Sequence, residues 1–215
     1  LHFDSEQSPD DHWHQVARSL KRAGLHLPPE WFYSYRLTGL GWLSARECVK
    51  EGMRSAAEQH GGIHSVLLDG VADLVRDVND PAESNDFVAE LHDIAIQNEC
   101  PIIGVIHFNP GSEKVRGHLG SQLERKAETN LRLDNVDGVT TIWSEKQRRE
   151  PIPKDTGPCF QRSTEAGMHV AILNRQASKL EIEKEELRAL VEDLFSDRPS
   201  MRYSDLQSTV KPPSF

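Results

Sequence analysis

The stretch 101–109 reads Pro-Ile-Ile-Gly-Val-Ile-His-Phe-Asn. From Ile102 to Ile106 it carries no polar side chain and is mostly β-branched, with a proline before it and His107 and Asn109 behind it, which is the pattern of a buried strand. Upstream the same pattern recurs in Val66-Leu67-Leu68, which ends at Asp69-Gly70, and in His2-Phe3, which reads as the end of a strand before Asp4. The aromatic run Phe32 to Leu37 is short enough to be another strand. Between these runs lie helical periods. Trp13, Val16, Ala17 and Leu20 fall at i, i+3, i+4 and i+7, and Gly24 follows in the C-cap place, predicting a helix over 10–23. Ser44 and Glu47 stand at capping-box spacing and open a second helix that Gly61-Gly62 closes. Phe87, Val88, Leu91, Ile94 and Ala95 predict a third helix starting at Ser84. Short apolar strands alternating with helices describe an α/β chain whose mostly parallel sheet is covered on both faces.

Beyond residue 107 the character changes. Gly111, Gly117 and Gly120 are interleaved with Lys114, Arg116, Arg125 and Lys126, which reads as a mobile basic loop leading into a short helix. Val139 to Trp143 and Met168 to Leu173 have strand composition, with the polar segment 150–158 as a long hairpin connection, and are expected as antiparallel edge strands. Leu187, Leu190, Val191, Leu194 and Phe195 form an apolar stripe that predicts a C-terminal amphipathic helix over 176–197. The Ser- and Pro-containing tail 198–215 is expected to be poorly ordered.

The 215 residues carry 34 acidic and 25 basic side chains, a formal charge of −9. That balance excludes a general nucleic-acid binder of the histone type and leaves only local contacts with nucleic acid. No apolar run reaches the length of about 18 residues that a membrane span requires, and no signal-peptide pattern is present, so the expectation is a cytoplasmic protein with no membrane partner. Cys48, Cys100 and Cys159 are odd in number and have no CxxC spacing, and are expected as free thiols.

Four clusters place chemistry-bearing residues at strand ends, where parallel sheets bind ligands. The first is Asp4-Ser5-Glu6-Gln7-Ser8, which reads either as a set of carboxylates facing a crevice or as a helix N-cap. In the second, Asp69 closes an apolar strand, the position from which a carboxylate holds Mg²⁺ beside a nucleotide. Asp69, Asp73 and Asp77 also recur at i, i+4 and i+8, so that on a helix they would share a face and could hold two metal ions. The third pairs His107 with Asn109, able to sense a terminal phosphate or orient a water. In the fourth, Lys114 to Arg132 carries five basic and two acidic residues, a local +3 that suits phosphate contact. Histidine pairs at metal-ligand spacing are missing: His12 and His14 point to opposite sides of a helix, and His107 and His118 lie too far apart.

Taken in order, strand-Asp-Ser-Glu-Gln, strand-Asp-Gly-x-x-Asp-Leu, strand-His-x-Asn and Arg-Gly-His-Leu-Gly-Ser-x-Leu-x-Arg-Lys-Ala-Glu-Thr, the motifs over residues 1–175 resemble the RecA-like P-loop ATPases. Within them they are most similar to AAA-family ATPases of bacterial mobile elements akin to plasmid-type hexameric replicative helicases. The resemblance implies a RecA-like three-layer sandwich with a C-terminal helix, ATP and Mg²⁺ as cofactors, assembly into a homo-oligomeric ring such as a hexamer, and action on DNA. By position, Glu6 looks like the residue that activates the attacking water. Asp4 beside it, Asp69 as the Walker B ligand of Mg²⁺ and Asn109 are implied on the nucleotide side. His107 matches the γ-phosphate sensor, and Arg125 or Lys126 the basic finger entering a neighbouring subunit's site. Loop 110–120, with Lys114, Arg116 and His118, matches the segment that faces nucleic acid.

The departure from that pattern is plain. No G-x-x-x-x-G-K-[ST] and no Gly-Lys dipeptide occurs in the sequence, so the backbone cradle and lysine that hold β- and γ-phosphates are not supplied. The expectation is an ATPase fragment that lacks the first strand and helix, which carry that loop in the family. Two other classes remain open: a non-catalytic interaction module on the same scaffold, and a metal-dependent phosphodiesterase built on Asp69, Asp73 and Asp77.

Overall fold

A computed structural model describes residues 1–112, 114–196 and 200–202. The chain divides into two compact units, Leu1–Ala127 and Glu128–Phe215, a division that falls inside the 1–175 stretch read as one core.

In the first unit β1 (His2–Asp4), β2 (Ser34–Arg36), β3 (Val66–Asp69) and β4 (Ile102–Val105) form a parallel sheet in the order β2-β1-β3-β4. Three helices make the crossovers: α1 (Pro9–Arg22), α2 (Trp42–His60) and α3 (Pro81–Gln97). The chain leaves β1 toward one edge and then returns past it toward the other. Because parallel crossovers are right-handed, this reversal puts α1 on one face and both α2 and α3 on the opposite face. The side chains agree. Phe3, Val66 and Leu68 are buried with Val49 and Met53 of α2 and Phe87 and Val88 of α3, each large apolar side chain contributing about 1.5–3 kcal/mol by leaving water. On the other face Asp4 meets His12 of α1. Arg46 of α2 is paired to Glu90 of α3, and Lys50 reaches the same carboxylate at 2.5 Å.

Both faces carry helices, α1 alone on one and α2 with α3 on the other, and coverage is incomplete at β4. β4 is an edge strand, and Ile103 and Val105 are 54% and 36% exposed. Helix starts also differ from those expected. Gly41, not Ser44, caps α2, with no side-chain bond. Asp80 caps α3 by accepting the N–H groups of Ala82 and Glu83, with Pro81 in the first helical position, three residues ahead of Ser84.

After a loop, α4 (Gly117–Lys126) closes the first unit, with Leu119 fully buried. The second unit holds β5 (Thr129–Val136), β6 (Val139–Gln147), β7 (Cys159–Ser163) and β8 (Met168–Ile172), an antiparallel sheet in sequence order, followed by α5 (Arg175–Phe195). The antiparallel strands therefore form a sheet of their own rather than edges of the parallel one, and β7 stands between the two strands expected to be joined by a hairpin. The α5 span matches the expected C-terminal helix, and of the tail 198–215 only 200–202 lie among the described residues. Among the described residues no helix is long and apolar enough to cross a membrane, and the three cysteines are free.

Candidate functional site at the carboxyl edge of the parallel sheet

Between β1 and β3 the direction of winding reverses, and the crevice outside the carboxyl ends of such neighbouring strands is where open α/β sheets bind ligands. The segment after β1 enters that crevice. Ser5 N–H donates to the Asp69 carbonyl at 3.0 Å. Ser5 Oγ lies within 3.0 Å of three acceptors, the carbonyls of Asp69 and Gly70 and Oδ2 of Asp73, and its one proton serves them in turn. Gly70 makes this approach possible. Its φ of +96° is a left-handed value, and a Cβ there would collide with Ser5 Oγ and stand 2.8 Å from Cγ of Glu6.

Glu6 follows, 29% exposed in its side chain, with Oε2 3.1 Å from Nε2 of His107 just beyond β4. These two residues, read from separate motifs, are brought together. Asp69 is the register partner of Asp4 across β1 and β3, so both project from the same face of the sheet. Their surroundings differ. Asp69 is half-buried, and its carboxylate is a hard oxygen donor of the kind Mg²⁺ takes alongside water and phosphate. Among the described residues no three His, Cys, Asp or Glu side chains converge as a full metal cage.

Asp4, on that same face, is taken up by α1. Its carboxylate is fully buried, with Oδ2 2.8 Å from Nδ1 of His12 and Oδ1 accepting the N–H groups of Glu6 and Gln7 at 3.0 Å each. Burial pushes this carboxyl up, but the His12 ring and the Gln7 and Glu6 amides outweigh it and hold the group below the usual carboxylate range. It faces α1 rather than the crevice. For His2, buried beside it, desolvation dominates and lowers the pKa.

Asn109 is likewise engaged within its own loop, donating Nδ2–H to the Val115 carbonyl at 3.2 Å, while its backbone N–H donates to the Lys114 carbonyl. With the Phe108–Val115 bridge and Arg116 N–H on the His107 carbonyl, the loop is a hairpin tied at its base. Lys114 and His118 are exposed upon it and at the start of α4. Arg116, exposed like them, also lines a cavity of about 610 Å³ whose wall includes Ser5, Thr38, Asp73, Arg76 and Asp77. Arg125 and Lys126 occupy the exposed last turn of α4, where Arg125 donates to Gln122 Oε1 at 2.5 Å.

The shared helical face expected for Asp69, Asp73 and Asp77 does not exist. Gly70 opens a single 3₁₀ turn, Val71–Leu74, which ends at extended Val75, and Asp77 then caps a turn by accepting the Asn79 N–H at 2.9 Å. The two-metal arrangement loses its basis, and both Asp73 and Asp77 belong to the cavity wall.

Sequence reasoning missed His12, Gly70 and Arg76. Gly70 carried a signal, a glycine directly after a strand-terminal aspartate. His12 carried none, because its partner is reached only when α1 packs on β1. Burial pushes the thiols of Cys48 and Cys100 up, away from nucleophilic character. No protein-family model matches the chain, and no curated protein matches it significantly.

Proposed function

We propose that Leu1–Ala127 is the hydrolytic part of a RecA-like nucleoside triphosphatase. One observation carries this reading: Glu6 and His107 meet at the carboxyl edge of the parallel sheet, beside Asp69 and at the point where the winding reverses. Glu6 then orients the attacking water, and His107 holds that carboxylate and contacts the terminal phosphate. Asp69 would hold Mg²⁺, which supplies charge neutralisation at the phosphates. The hairpin 107–116 offers Lys114 and Arg116 to DNA, and Arg125 or Lys126 would act across a subunit boundary in a ring such as a hexamer. The reading requires a phosphate-cradling loop that no part of these 215 residues provides, so it is proposed for this unit joined to a P-loop strand and helix. The test is calorimetric titration with Mg²⁺ and a non-hydrolysable ATP analogue, on this chain and on a form extended at its N-terminus from the source gene. Binding by the extended form supports the reading, and no binding by either removes it.

A second reading, a non-catalytic interaction module, is favoured by the exposure of Ile103 and Val105 on the open edge strand β4. It gains if neither form binds nucleotide.

A further inference from the structure

His12 is hydrogen-bonded through both ring nitrogens. Nδ1 lies 2.8 Å from Asp4 Oδ2, and Nε2 lies 3.1 Å from Ser34 Oγ. Ser34 Oγ is in turn 2.8 Å from Nδ1 of His2, whose ring stacks on that of His12 with centroids 5.7 Å apart and planes 3° from parallel. With His12 neutral, one proton arrangement satisfies these contacts. An ionised Asp4 only accepts, so His12 Nδ1 carries the proton toward it. In the neutral ring Nε2 is then an acceptor for the Ser34 hydroxyl, whose oxygen accepts Nδ1–H of His2. That leaves Nε2 of His2 as a bare lone pair, and this atom is buried without a partner. A bare acceptor is the more tolerable orphan, since unpaired buried donors are the rarer.

The Asp4–His12–Ser34 spacing is also that of a nucleophile relay. However, Ser34 is held by a second imidazole and does not line the 610 Å³ cavity. The free end of the array is elsewhere. Asp4 Oδ1 receives the N–H groups of Glu6 and Gln7, so the carboxylate that His12 orients also fixes the turn presenting Glu6 to His107.

We propose that His12 is a positioning residue for Glu6: acting through Asp4, it holds the turn after β1 in the conformation that brings the Glu6 carboxylate to His107. The geometric link stands by itself, and its consequence for hydrolysis rests on the function proposed above.

Amide hydrogen exchange on the full chain tests the link. His12→Ala leaves Asp4 without its ring partner, and exchange at Glu6 and Gln7 should speed up by about tenfold or more, as expected for loosening a hydrogen bond to a charged group. The Val66 and Leu67 amides, in the same sheet, should not change. His12→Asn retains an N–H near the Nδ1 position and should restore protection, whereas His12→Gln, whose amide reaches toward the Nε2 position, should not. This pair keeps the test intact if the alanine variant fails to fold. Unchanged exchange at Glu6 and Gln7, equal acceleration at Val66 and Leu67, or equal behaviour of the Asn and Gln variants would overturn the proposal. In a nucleotide-hydrolysing form, His12→Ala should lower kcat with KM unchanged. Absence of hydrolysis in the unsubstituted extended form removes the ATPase reading, and the exchange rates at Glu6 and Gln7 then decide positioning by themselves.

Discussion

Oε2 of Glu6 and Nε2 of His107 are 3.1 Å apart although 101 residues separate them in the chain. Each lies two residues past the end of a parallel strand, β1 and β4, with β3 running between those strands. If Glu6 orients a water, Glu6→Gln keeps its size and removes its basicity. Turnover in the nucleotide-hydrolysing form should fall by about 10²–10⁴-fold with nucleotide affinity kept. Single-turnover kinetics beside calorimetric binding separates the two quantities, and a parallel loss of both would assign Glu6 to binding instead.

Asp4 and His2 give the first unit a defined response to acid. His2 is held below its ordinary value by burial, so the unfolded chain takes up the proton first. Its contribution is complete above about pH 6.5 and declines as pH falls through the window beneath. Asp4, also depressed, contributes fully above about pH 3.9 and loses that contribution as pH falls further. Denaturant midpoints measured from pH 8 to pH 3 should drop in two stages. His2→Asn should flatten the upper stage and Asp4→Asn the lower. An upper stage of unchanged slope in His2→Asn would show that another histidine carries it.

The helices were legible because burial on one side writes itself into sequence at period 3.6, as Phe87, Val88, Leu91 and Ile94 of α3 show; α1 has the same period, yet its Trp13 is 64% exposed. The parallel strands were legible as apolar runs, yet their exposure was not. Ile103 and Val105 have the composition of a buried strand but sit on an edge whose outer face has no helix, a fact that follows from strand order and not from the residues themselves. In the second unit a readable signal was passed over. Asp137 and Gly138 both adopt positive φ, and the pair joins β5 to β6 as a two-residue hairpin. What obscured it is an inverted pattern on β5, where Leu131 and Leu133 are 50% and 57% exposed while Arg132 and Asp134 are the half-buried partners of Glu145 and Lys154. At the site, motif order correctly placed Glu6, Asp69 and His107 at strand ends. The inward turn of Asp4 and the loop-bound role of Asn109 depend on where α1 and Val115 lie, which no local pattern encodes.

Should the hairpin 107–116 contact nucleic acid, Lys114 and Arg116 give different signatures. Lys114 is an exposed cation, so Lys114→Ala should weaken binding alike across sequences and shrink the slope of log K against log salt by about 0.7–0.9. Arg116, exposed as well, lines the cavity with Asp73 and Asp77, whose carboxylates offset part of its charge, and Arg116→Ala should change that slope less. Fluorescence anisotropy between about 50 and 200 mM salt, concentrations over which phosphate contacts register strongly, reads both. Identical slopes for all three proteins would take the hairpin out of any nucleic-acid interface.

The turn after β1 packs the Ser5 and Glu6 side chains tightly against Gly70. Gly70→Ala forces a side chain into a left-handed backbone, which costs about 1–2 kcal/mol, and drives its Cβ against Ser5 Oγ and Glu6 Cγ. Ser5→Ala alone removes the hydroxyl that reaches Asp69, Gly70 and Asp73 and should cost about 0.5–1.5 kcal/mol. In the double variant the collision with Oγ is gone, so its destabilisation should be smaller than the sum of the two singles by at least about 0.5 kcal/mol, the coupling expected of residues in contact. Urea denaturation of the four proteins completes the cycle. Strict additivity would mean that Ser5 moves aside freely, and that Gly70 is required for its backbone angle alone.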